Sequence, residues 1–175
     1  DVMNIPSAAL YGKAYNYTLP IMVAHNAGYS ELIFNDFEDA GVTGKSSFAH
    51  SGSQSVIYSD ALTLVSGINV TKHVKTKGAL LNAWVSGNLA SILPSLRVII
   101  GAQNLNINKV ASSGDWILLE CKIEGDQLPN IDQPLTLNIG GYIGTEKLYI
   151  DDVRFQPADA QAECFVYDKQ LLKLL

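Results

Sequence analysis

From residue 31 onward the chain repeats one pattern, and that pattern sets what it can fold into. Short runs rich in Val, Ile, Leu, Tyr and Phe occupy residues 32–37, 55–59, 68–71, 79–86, 96–102, 105–109, 116–123, 135–139 and 147–155. Gly, Asn, Asp and Pro break them about every 8 to 15 residues, the strand-and-turn cadence of an all-β sandwich or barrel. No stretch carries the 3.6-residue period of a long amphipathic helix; residues 89–93 and 169–175 are expected to form short helical turns. With 175 residues the chain suffices for one sizeable core. Residues 1–30 show neither period and read as a leader that packs on the domain or links to preceding chain.

Alternation assigns faces to the strands. In 116–123, Ile117, Leu119, Cys121 and Ile123 share one side while Glu120 and Lys122 take the other, so Cys121 is expected in the core. In 79–86, Trp84 has the parity opposite to Leu81, Ala83 and Val85, which turns it outward together with Asn82. In 147–155 the two sets are Tyr149, Asp151, Val153, Phe155 and Leu148, Ile150, Asp152, Arg154. Strict alternation therefore carries one Asp inward whichever face is buried.

A carboxylate taken out of water without a partner is costly, by several kcal/mol or more. No Lys or Arg stands at a matching place, so a bound metal ion or a ring of backbone donors must neutralise it. A hard oxygen site suits Ca²⁺. Residues 35–39 supply further carboxylates at the end of the first strand, and these could meet the last strand if the ends of the domain lie together.

Composition closes off several function classes. Charged residues make up 17% of the chain and the formal charge is −5, with the twelve Lys and Arg scattered singly, so neither nucleic acid nor an anionic membrane surface has a basic patch to bind. Pro94 and Arg97 interrupt the most apolar stretch, residues 91–102, well short of the roughly 18 apolar residues needed to span a bilayer. Two cysteines, Cys121 and Cys164, make no disulfide framework and match no zinc spacing. His25, His50 and His73 pair with no acid at ligand or triad spacing, and read as solvated or structural. Asp151 and Asp152, as neighbours in a strand, are expected on opposite faces and so cannot flank one glycosidic bond. An enzyme is not expected. Lys72, Lys75 and Lys77 read as a solvated basic loop.

Five segments in order carry a family likeness: Asn35-Asp36-Phe37-Glu38-Asp39, Ala49-His50-Ser51-Gly52-Ser53-Gln54-Ser55, Leu80-Leu81-Asn82-Ala83-Trp84-Val85-Ser86, Gly114-Asp115-Trp116 and Leu148-Tyr149-Ile150-Asp151-Asp152-Val153-Arg154-Phe155. The set, spanning about residues 32–157, resembles the carbohydrate-binding-module-like, galactose-binding-like domains that end on a similar strand. The resemblance implies a jelly-roll β-sandwich of two antiparallel sheets over residues 31–158. It also implies a structural Ca²⁺ held by Glu38 and Asp151, with backbone carbonyls from the loop near Ser51-Gly52. Residues 152–160, followed by Phe165-Val166-Tyr167-Asp168, resemble the junction before YD (RHS-type) repeats in large secreted or surface bacterial proteins. On that likeness residues 159–175 are a linker and the opening of a following repeat, and the neighbouring domains of the same polypeptide are partners; the start at Asp1 and the run of Leu171, Leu172, Leu174 and Leu175 make both ends read as cuts through a longer chain.

Sugar binding relies on aromatic platforms for the C–H faces of pyranose rings, with polar neighbours for the hydroxyls. Trp84, Trp116, Tyr142 and Tyr149 are the candidate platforms. A groove of Trp84, Asn82, Arg97 and Gln103 is the expected polysaccharide or glycan contact, in a non-catalytic module; the alternative is a structural or adhesive spacer with no small-molecule ligand, in which the tryptophans are packing residues.

Overall fold

The computed structural model describes residues 6–39, 43–59, 61–87, 89–168 and 173–174. In chain order the strands are β1 (Ser7–Tyr11), β2 (Pro20–His25), β3 (Ile33–Asn35), β4 (Lys45–Ser46), β5 (Ser55–Ile57), β6 (Ala61–Asn69), β7 (Ala79–Ser86), β8 (Arg97–Ile100), β9 (Gln103–Leu105), β10 (Asn108–Ser113), β11 (Trp116–Ile123), β12 (Pro134–Gly140), β13 (Tyr149–Pro157) and β14 (Gln161–Cys164). Among the described residues short α-helices, α1 (Lys72–Lys77) and α2 (Leu89–Ser95), interrupt them. Thr71 caps α1, its hydroxyl accepting from the Val74 amide, so the expected basic loop is a capped helical turn.

Among the described residues every strand pairing is antiparallel. One sheet of seven strands runs β10-β11-β7-β13-β5-β4, with β3 also paired to β13; a second runs β6-β12-β8-β9. Their inner faces share one core, with Leu81, Ala83, Val85, Leu119, Cys121 and Phe155 on one side and Val98, Leu135, Leu137 and Ile139 on the other. The fold is thus an all-β sandwich, as the cadence predicts. Each large side chain buried there contributes about 1.5–3 kcal/mol.

The first thirty residues are more ordered than their pattern suggests. β1 and β2 form a hairpin, and β14 adds to the free edge of β2, giving a third sheet in the order β1-β2-β14. Met22, Ala24, Leu32, Phe34, Ala160 and Val166 pack a second, smaller core beneath it. Residues 161–164, within the stretch that the likeness assigns to a linker and the opening of a repeat, pair with β2 of the leader. Residues 1–5, and residues 169–172 and 175 of the expected C-terminal helical turn, lie outside the described residues.

The strand that matters most for the site is β13. Its first half pairs with β5 and its second half with β3, so the first and last strands of the sandwich do meet, with Asn35 opposite Val153. Against β7 its register slips between Asp151 and Arg154: Asp151 faces Trp84, Arg154 faces Asn82, and two residues stand where one would. Asp152 takes a left-handed φ of 45° at this β-bulge. The extra residue reverses the parity, so Ile150 and Val153 both enter the core while Asp151 and Arg154 share the outer face with Trp84 and Asn82. The expected alternation through 147–155 is corrected here. Asp151 is fully buried, yet it lies beneath a loop on the outer face and not in the sandwich core.

Candidate functional site

Trp84 of β7 and Trp116 of β11 belong to the outer face of the seven-stranded sheet, and the chain between β4 and β5 folds back over them. Phe48 stacks on Trp116, ring centroids 5.3 Å apart and 17° from parallel. His50 stacks on Trp84 at 3.9 Å and 14°. Three carboxylates latch this covering loop. Asp151 accepts from the amides of His50 at 2.8 Å, Ser51 at 3.3 Å and Asp152 at 2.9 Å. Glu38 accepts from the Ser53 amide at 2.6 Å, the Ser53 hydroxyl at 2.8 Å and the Gln54 amide at 2.8 Å. Asp152 lies 2.7 Å from His50 Nδ1 and takes the Ser51 hydroxyl at 2.7 Å.

The turn of the loop is made by Gly52, at φ 65°, where a Cβ would stand 2.5 Å from Glu38 Oε1. Only glycine allows this approach of backbone to carboxylate. The cluster is electrostatically loaded. Burial raises the pKa of Asp151 well above the ordinary carboxylate range, the charge of Asp152 adding to it, and the amides of His50, Asp152 and Ser51 offset only part. Burial likewise pushes Asp36 up to about 6, with Glu38, Asp152 and Asp39 adding to the shift against the opposing Glu38 amide.

Beside the latched loop is a cavity of about 270 Å³. Its floor comes from the sheet, through Asn82, Trp84, Leu118 and Arg154; His50, Ser51 and Asp152 form one wall, and Phe34, Cys164 and Val166 bring in the small core. Asn82 joins two charged neighbours: its Oδ1 accepts from Arg154 Nη2 at 3.1 Å and its amide donates to Glu120 at 3.1 Å. Ser51, His50 and Asp152 resemble a nucleophilic triad by composition only. The Ser51 hydroxyl donates to Asp152 and not to the imidazole, so the histidine does not activate it. Burial pushes the Cys164 thiol up to about 11, with Arg154 opposing the shift, which removes it as a thiolate nucleophile at neutral pH.

The residues expected to line one groove therefore divide. Trp84 and Asn82 do sit together on the outer face, Trp84 partly exposed and Asn82 buried. Arg97 and Gln103 belong to β8 and β9 of the opposite sheet. There Arg97 donates to the carbonyls of Leu93, Pro94 and Leu96, and Gln103 donates to that of Gln127. A groove of all four is corrected by that placement, since strand parity fixes a face but not which sheet carries it. Trp116 is buried under Phe48, Tyr149 packs edge-on against Phe48 as well, and Tyr142 packs edge-on against Tyr58.

Glu38 and Asp151 converge on one loop, as an ion-bridged pair would. What the loop turns toward them, however, is amide N–H groups where a calcium cage needs carbonyl oxygens. As arranged, the loop meets the two carboxylates with backbone donors that offset part of the cost of their burial, and that donor set does not fit Ca²⁺. Asp152, Arg154, His50 and Ser51 were missed as site residues; the bulge that gathers them leaves no mark in periodicity. No protein-family model matches the chain, and neither the curated proteins nor the solved structures contain a significant match.

Proposed function

We propose that the chain is a non-catalytic binding module that takes the terminal sugar of a glycan in the cavity beside Trp84. One observation carries the reading: the cavity combines an aromatic ring with side chains able to donate and accept hydrogen bonds, Asn82, Arg154, Asp152, His50 and Ser51. That is the mix a sugar ring needs, a flat apolar surface and converging polar groups. A volume near 270 Å³ suits one small ring better than an extended polymer lying along a groove. The jelly-roll likeness and a setting in a larger secreted or surface bacterial protein are of a piece with this reading.

A second reading, a structural spacer, is favoured by the stacking of His50 on Trp84 and Phe48 on Trp116, since each aromatic platform already has a ring against it. The two are separated by titrating the protein with a panel of mono- and oligosaccharides while following amide chemical shifts. Binding predicts saturable shifts at Trp84, Asn82 and Arg154 that Trp84→Ala removes. A protein that folds normally and shifts with no sugar in the panel is a spacer.

A further inference from the structure

Arg154 stands out among the residues of this cavity because, among the described residues, no carboxylate touches it. Among the described residues it forms no ion pair; every salt bridge there involves His50, His73, Lys77 or Lys122. Its guanidinium donates to Asn82 Oδ1 at 3.1 Å and, at the long distance of 3.5 Å, to the Ala162 carbonyl. Its Nε is sealed from solvent with no acceptor. Five N–H donors are thus met by two neutral oxygens and the Cys164 sulfur, none of them an anion. The nearby acids do not change this, because Asp152 is engaged by His50 and Ser51, and Glu120 reaches Arg154 only through the Asn82 amide.

A half-buried cation with an Nε sealed from solvent and no acceptor for it is a costly arrangement, and an anion in the cavity would complete it. Arginine's planar fork matches a carboxylate, giving short charge-assisted bonds roughly twice as strong as neutral ones. Resting on the reading of the cavity as a sugar site, we infer that its ligand is an acidic sugar, a hexuronate whose ring packs by Trp84 and whose C6 carboxylate pairs with Arg154.

The test is a titration at pH 7 and low salt with D-glucuronate and D-galacturonate, their neutral counterparts D-glucose and D-galactose, and acetate. The protein is taken as wild type, R154Q, R154K and W84A. One of the uronates is expected to bind about tenfold or more tightly than its neutral hexose. R154Q should bring it down to the hexose level, while R154K, keeping the charge but not the fork, should retain part of the preference. Should R154Q fail to fold, a reduced preference in folded R154K carries the same conclusion, and an undiminished one overturns it. Equal binding of uronate and hexose, abolished by W84A, overturns this inference and leaves the sugar site standing. Acetate binding as tightly as the uronate overturns the sugar-acid class, and binding of none of these probes overturns the inference together with the site.

Discussion

Replacing His73 with alanine tests how the small sheet is fastened to the sandwich. His73, on α1, has Nδ1 3.1 Å from Glu31 Oε2 and Nε2 2.8 Å from Asp159 Oδ1, so it ties the turn before β3 to the turn between β13 and β14. Both ring nitrogens can donate only when the imidazole is protonated. Burial opposes that charge, but the bonds and charges of Glu31 and Asp159 outweigh it, and the pKa of His73 is raised above 6.5. Glu31 is lowered below 4.5: burial pushes upward, and the hydrogen bonds from Thr71, Gly28 and His73 overcome it. Lys77, 3.9 Å from Asp159, is the other charged group at the clamp.

Glu31 is nearly enclosed, with 7% of its side chain exposed, so its bond to the imidazolium falls in the range of about 1.5–3 kcal/mol for hydrogen bonds to charged groups. The Asp159 arm, 34% exposed, is screened and adds only about 0.2–1 kcal/mol. His73→Ala is therefore expected to cost about 2–4 kcal/mol at pH 6, a fall in Tm of roughly 4–16 °C for a chain this long. A group whose folded pKa is raised contributes fully below its unfolded value and loses that contribution as pH rises through the folded one. At pH 9 a neutral imidazole keeps one donated bond, and the penalty shrinks to about 0.5–1.5 kcal/mol. Thermal melts of both proteins at pH 6 and pH 9 read the difference directly. Penalties that are equal at the two pH values, or larger at pH 9, refute the clamp.

Asp36 carries the opposite sign of cost. With its pKa pushed up from 3.8 to about 6, the buried charge destabilises the fold increasingly as pH climbs through that interval, and Asp36→Asn should raise Tm at pH 8 but not at pH 3.5; a loss of stability at pH 8 counts against this. Because the latch around Asp151 and Glu38 is built of amide donors, chelator followed by millimolar Ca²⁺ is expected to leave the melting curve unchanged. A calcium-dependent rise in Tm means that the loop rearranges into a cage, by the mass-action stabilisation of a native-state ligand.

The sequence was most legible where alternation ran unbroken. β7 and β11 coincide with runs 79–86 and 116–123 because eight residues of regular pleat, half of them core, leave no other face to bury. It misled at β13, where one additional residue at Asp152 breaks the alternation that would carry one of the two acids into the core and sets both of them on one loop. β1, β2 and β14 escaped because their order comes from partners far along the chain: Gln161 pairs with His25. Trp84 and Asn82 were legible as outward neighbours from parity alone. Arg154 was legible as a residue but not as a site, since its importance lies in what does not pair with it.

The sheet knit from the two ends of the chain also has a mechanical meaning. β1 and β14 both run antiparallel to β2 and hence parallel to each other, and both begin at the His25 end of β2, opposite Ser7 and Gln161. The chain enters β1 at that end and leaves β14 at the other, beside Met22. Tension applied across the two ends thus draws β1 and β14 in opposite directions along β2, loading the ladder bonds in parallel as shear. Peeling would break them one at a time; here they yield together, and the load meets this clasp before it reaches the sandwich.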